Sequence, residues 1–70
     1  MSETLRVSIN GEAHELPAGL TVAALLASLG LDANRVAVER NLEILPRAKW
    51  DATRVEPSDR YEIVHFVGGG

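Results

Sequence analysis

Apolar and polar positions alternate near the start of the chain: Leu5, Val7 and Ile9 are apolar, and Arg6 and Ser8 between them are polar. A period of two places successive side chains on opposite faces of an extended backbone, so the pattern predicts a half-buried strand. Asn10-Gly11 follows. Both residues tolerate positive φ, and the pair is the strongest short-range hairpin signal. A second strand is predicted over 13–16, stopped by Pro17-Ala18-Gly19.

The period then changes. Val22, Leu25, Leu26 and Leu29 recur at helical spacing and form one apolar stripe. Thr21 is a good N-cap and Gly30 stands where a left-handed C-cap belongs, so a helix is predicted over 21–29. Ala24 occupies the position from which a Glu would complete a capping box, which leaves Thr21 alone to hold the first turn. Val36-Ala37-Val38 predicts a third strand ending near Arg40. Asn41-Leu42 can turn the chain into a brief pairing at Glu43-Ile44-Leu45, which Pro46 ends. One helical turn is predicted over 48–52 around Trp50, and a turn at Pro57-Ser58-Asp59. Residues 61–67, rich in β-branched and aromatic side chains, predict the last and strongest strand.

A single helix must bury its stripe against a sheet. The most apolar strand reads as central, and setting it parallel to the first strand gives an α+β, β-grasp (ubiquitin-like) architecture: a mixed four- to five-stranded sheet packed on one main helix. A ferredoxin-like alternative needs a second crossover helix, which no segment supplies. The expected core is Leu5, Val7, Ile9, Leu25, Leu26, Leu29, Val36, Val38 and Ile63. The expected division is a β-grasp domain over 1–67 and a flexible glycine tail over 68–70.

Seventy residues make one domain. A domain this small buries only about 60% of the surface its unfolded chain exposes, so its core must be efficient. Without cysteine the chain has neither disulfides nor thiolate–metal sites, which fits a reducing compartment. A formal net charge of −3 argues against a nucleic-acid partner. No apolar stretch approaches the roughly 20 residues that span a bilayer. The first four residues have no basic or apolar leader pattern. A cytoplasmic protein with no membrane partner is expected.

Conventional catalytic constellations are nearly absent. Ser8, Ser28 and Ser58 have no histidine near them in sequence, and His14 and His65 read as sheet-surface residues, not as metal ligands. Glu12, Glu15, Asp32, Glu39, Glu43, Asp51, Glu56, Asp59 and Glu62 are scattered singly and read as a solvated surface. No catalytic residue, metal or bound cofactor is expected.

The informative feature is the ending Gly68-Gly69-Gly70. Three glycines in a row are costly to order and have no side chains to pack. Without Cβ atoms such a segment can thread a narrow tunnel and deliver a terminal carboxylate unhindered, over a span of about 10 Å beyond Val67. The plainer reading is a frayed end. Upstream, if Ile63 points under the helix, Val64 and Phe66 share the opposite face of the last strand, where two apolar residues beside the tail make a candidate docking patch; the plainer alternative is a sheet that curls and covers them with the Trp50 segment.

Three segments together resemble a known family: Val36-Ala37-Val38-Glu39-Arg40-Asn41; Ile44-Leu45-Pro46-Arg47 with Trp50; and residues 59–70, ending in the three glycines. Asn10-Gly11 and Thr21-Val22 with Leu25-Leu26 fit the same pattern. The likeness is to the ThiS family of sulfur carrier proteins of thiamine biosynthesis, and it covers nearly the whole chain. Ala24 departs from it, where an acidic helix residue is expected; that bears on capping, not on sulfur chemistry.

The resemblance implies a carrier and not an enzyme. A ThiF-type adenylating enzyme would use ATP to activate the Gly70 carboxylate. A cysteine desulfurase or related source would supply a persulfide sulfur, leaving a thiocarboxylate. A ThiG-type thiazole synthase would accept that sulfur. Gly70 would carry the sulfur, Gly68 and Gly69 would give reach, and Val64 and Phe66 would meet the partners, with the free chain a monomer. Two other functions stay open: a MoaD-like carrier for molybdopterin synthesis, and a ubiquitin-like modifier conjugated to lysines. A plain interaction domain with an incidental tail is the bland alternative.

Overall fold

The computed structural model describes residues 3–66. Gly68, Gly69 and Gly70, together with Val67 at the end of the predicted last strand, lie outside the described residues.

Strands β1 (Thr4–Ile9) and β2 (Glu12–Pro17) form the hairpin, and helix α1 (Val22–Ser28) follows. Strands β3 (Val36–Arg40), β4 (Glu43–Ile44) and β5 (Arg60–His65) complete a five-stranded sheet in the order β2-β1-β5-β3-β4. Strand β5 is therefore central. It runs parallel to β1 and antiparallel to β3, and the remaining neighbours are antiparallel. This is the β-grasp arrangement, with α1 on one face. Short 3-10 turns occupy Ala33–Arg35 and Arg47–Lys49.

The hairpin turn has φ of 50° at Asn10 and 84° at Gly11, the left-handed geometry that the Asn-Gly pair favours. β2 runs one residue further at each end than predicted and takes in Pro17. An edge strand tolerates proline because its missing N–H faces outward.

Helix α1 is better anchored than its sequence suggests. The N–H groups of its first turn have no partners within the helix. Here Val22 N–H donates to the Thr53 carbonyl at 2.9 Å and Ala23 N–H to the Trp50 carbonyl at 3.2 Å. Ala24 N–H donates to Thr21 Oγ1 at 3.1 Å. The irregular segment around Trp50 thus satisfies two first-turn donors that a capping box does not reach. At the other end, Gly30 N–H reaches the Ala27 carbonyl and Leu31 N–H the Leu26 carbonyl, with Gly30 at φ 73°. That pairing is the Schellman stop.

The core joins Val7, Ile9, Leu16, Val22, Leu25, Leu26, Val36, Val38, Trp50, Val55, Tyr61 and Ile63. Leu5 and Leu29, expected inside, are only partly buried and pack against its margin. Trp50 and Val55 enter from loops that carry no periodic signal, and the Trp50 indole N–H finds the Leu45 carbonyl at 3.0 Å. A buried ring with a satisfied polar tip contributes large apolar area without an orphan donor.

Candidate functional site

Strand β5 leads to the glycine tail, so its two ends define the candidate site. Its first end is fixed by Asp59, which the sequence suggested was solvated and which is only 4% exposed. Its Oδ2 accepts from Tyr61 Oη at 2.7 Å, Glu56 N–H at 2.9 Å and Arg40 Nε at 3.0 Å, and Oδ1 accepts from Asn41 Nδ2 at 3.1 Å. Asn41 in turn accepts from Arg60 N–H through Oδ1 and donates its own N–H to the Arg60 carbonyl. A buried carboxylate is tolerable only when paired and hydrogen-bonded, and this one is both.

The titrations follow from that geometry. Burial pushes the Asp59 carboxyl up, but hydrogen bonds from Glu56 N–H, Tyr61, Asn41 and Arg40 outweigh it and hold the group below the usual carboxylate value. Burial, reinforced by the Asp59 carboxylate, pushes the Tyr61 hydroxyl up to about 12. Both shifts keep a neutral phenol on an ionised carboxylate, which is a structural knot and not an acid–base pair.

The other end is built differently. Side chains alternate along β5, so Tyr61 and Ile63 are buried under α1 while Glu62 and Val64 face outward. Val64 is 59% exposed and Phe66, just past the strand, 58%. Phe66 N–H still reaches the Arg35 carbonyl at 2.8 Å, so the backbone stays aligned with β3 up to the last described residue. Phe66 also walls a cleft of about 320 Å³ with Ala37, Ile44, Leu45, Pro46 and Arg47. Arg47 is pinned across its rim by Asn34 Oδ1 at 2.5 Å. The Pro46-Arg47 and Trp50 positions singled out in the sequence thus line this cleft beside Phe66.

Asn10 is a residue that sequence reasoning took only for a turn former. Its side-chain Oδ1 accepts from Ile63 N–H at 2.8 Å and its Nδ2 donates to the Ile63 carbonyl at 3.2 Å. An amide side chain thus replaces one residue of strand where β1 turns away. Nothing in local spacing announces a partner 53 residues distant.

Gly68, Gly69 and Gly70 lie outside the described residues, so the site's geometry stops at Phe66. Among the described residues no group of three or more His, Cys, Asp or Glu side chains is placed to hold a metal, and no helix is long and apolar enough to cross a membrane.

The ThiS family model matches residues 7–70. A thiazole synthase of Paramagnetospirillum magneticum is 48% identical over 66 residues, covering 94% of this chain and 20% of that protein. The sulfur carrier protein ThiS of Bacillus subtilis is 46% identical over 50 residues, 71% of this chain and 76% of that one. A crystal structure of the thiamine biosynthesis protein ThiS from Geobacter metallireducens aligns with a TM-score of 0.79 at 37% identity, covering 94% of this chain and 100% of that chain. The chain spans about a fifth of the length of the thiazole synthases it matches, 20% in each of two.

Proposed function

This chain belongs to the ThiS family, and from that premise we propose that it is a sulfur carrier whose Gly70 carboxylate is the working group. The observation that carries the reading is the family match across 7–70, which runs through the glycine ending. The thiazole and thiamine names of its relatives favour thiazole assembly over molybdopterin synthesis or lysine conjugation.

A carboxylate is a poor electrophile. A ThiF-type enzyme would convert the Gly70 carboxylate to its acyl adenylate, with pyrophosphate leaving ATP. A persulfide from a cysteine desulfurase or related source would attack the acyl carbon and expel AMP, leaving an acyl disulfide. A second thiol would then reduce that disulfide, releasing the Gly70 thiocarboxylate and a new disulfide. A ThiG-type synthase would take the sulfur. Each of these steps uses the partner's catalytic groups, and the carrier contributes position: Gly68 and Gly69 supply reach, and Val64 with Phe66 seat the tail on its partners. An exposed aromatic beside an apolar cleft suits that docking.

Deleting Gly70 tests the reading. Thiocarboxylate formation, followed by intact mass after incubation with ATP, the activating enzyme and a sulfur source, is expected to vanish while the urea midpoint is unchanged. Sulfur transfer to the shortened chain would overturn it.

A further inference from the structure

The middle strand of a sheet ordinarily has its backbone paired on both sides, and β5 does so for only part of its length. Its antiparallel register with β3 pairs Ala37 with Val64 and Val36 with His65. Phe66 N–H bonds to the Arg35 carbonyl just before β3, and the Arg60 carbonyl accepts from Asn41 N–H just after it. Even-numbered residues of β5 therefore direct their N–H and C=O groups at β3, and odd-numbered residues direct theirs at β1. The β1 side agrees: the Asp59 and Tyr61 carbonyls accept from Ser8 and Asn10 N–H, each at 2.9 Å. Ile63, the next odd residue, has its N–H and C=O taken up by the Asn10 side chain. The following odd residue, His65, meets neither β1, whose register with β5 ends at the Ile9–Tyr61 pair, nor any other donor or acceptor among the described residues. It is exposed.

We propose that the His65 edge of β5 is a docking edge, and that its occupant is an extended main-chain segment of the enzyme that adenylates the tail, added as a short strand where β1 leaves off. The inference rests on the carrier reading above. Three features favour this occupant. The open N–H and C=O of His65 form a ready strand template. The edge lies immediately before the residues an activating enzyme must hold extended. And the segment after it is Gly68-Gly69-Gly70, whose lack of Cβ atoms lets a partner backbone continue alongside without steric conflict. Asn10 is then a positioning residue: it completes β5 to Ile63 with a side chain instead of more strand, and so leaves the edge beyond free. Main-chain pairing would also fix the register of the tail, which apolar contacts through Val64 and Phe66 alone do not.

Amide hydrogen exchange on the chain, free and saturated with the activating enzyme and ATP, tests this directly. In the free chain the His65 amide exchanges fast while Val64 and Phe66, bonded to β3, are protected. In the complex His65 is expected to slow at least about tenfold, as a newly bonded amide should. Equal exchange of His65 in both states, in a complex that does adenylate the tail, overturns the proposal and leaves the carrier reading standing. Failure to form or adenylate any complex removes both. A variant pair gives an independent reading. Along the backbone, His65→Pro deletes a donor that faces away from β3 and leaves every bond to β3 in place, so the urea midpoint should hold, whereas affinity for the enzyme should fall about tenfold. His65→Ala keeps the donor and should bind as the parent does. Equal losses in both variants would assign the effect to the imidazole and contradict the proposal. A concentration-dependent dimer abolished by His65→Pro, with enzyme affinity unchanged, would make a second copy of this chain the occupant and also contradict it.

Discussion

The two ends of β5 differ in how their polar groups are satisfied. At the first end a buried carboxylate collects four hydrogen bonds, from Arg40, Asn41, Glu56 and Tyr61. It ties the turn before β5 to the end of β3 and to the Asn41-Leu42 turn. At the other end Val64 and Phe66 stand exposed and the His65 edge has no neighbour strand among the described residues. One strand is thus locked where it enters the sheet and left open where it departs toward the glycines. In the proposed carrier, rigidity at the first end of β5 gives the strand a fixed point of departure.

The locked end predicts the largest effect. Asp59→Ala leaves the Arg40 guanidinium, the Tyr61 hydroxyl, Asn41 and the Glu56 N–H short of an acceptor, and should cost about 3 kcal/mol in urea unfolding. A loss near zero would show that water replaces the carboxylate freely, and the contrast between the ends would fail. The same knot sets a pH dependence. The Asp59 carboxyl titrates lower folded than unfolded, where its ordinary value is 3.8, so the unfolded chain binds the proton more readily. Its contribution is present above that ordinary value and is lost as pH falls through the folded one. Tyr61 titrates higher folded, at about 12 against 10.0. Its contribution is complete below pH 10 and is lost as pH rises through about 12. Urea midpoints across both limbs check the signs, and Asp59→Asn should flatten the acid limb.

Asn10→Ala tests the junction between the ends. It removes both bonds to Ile63 and places alanine at φ 50°, and should destabilise by about 2 kcal/mol. The smallest change in stability belongs to the open end. Phe66→Ala should leave the urea midpoint nearly unmoved while weakening binding to the activating enzyme by about 1–3 kcal/mol in titration calorimetry. A collapse of stability would instead put Phe66 in the core and reverse the assignment of faces.

The individual strands, the helix and the alternation of faces along the last strand were legible because each rests on periodicity within one short segment; which of the two faces lies under the helix was not, and the structure buries Tyr61 and Ile63 and exposes Val64 and Phe66. The helix stripe at Val22, Leu25 and Leu26 and the alternation around Ile63 report local geometry and nothing else. The Asp59 knot was not legible, because Arg40 and Asn41 lie 19 and 18 residues away, and an Asp after Pro57-Ser58 reads as ordinary turn chemistry. Asn10 was misjudged for the same reason: its turn role is local, while its role as a substitute strand residue depends on Ile63 arriving beside it. Trp50 and Val55 reach the core from irregular backbone, where no period exists to detect. Leu42, read as part of a turn, adopts φ 72° at a position where glycine is usual, and its side chain is 75% exposed. Nothing in the structure explains that choice.

Gly70 is proposed to carry sulfur delivered through adenylation. Intact-mass measurement, after incubation with ATP, a ThiF-type enzyme and a persulfide source with reductant, tests it most directly. The expected result is a mass gain equal to the exchange of one oxygen for sulfur, assigned by fragmentation to Gly70 and dependent on ATP. No gain, or a gain assigned to any other residue, would contradict it.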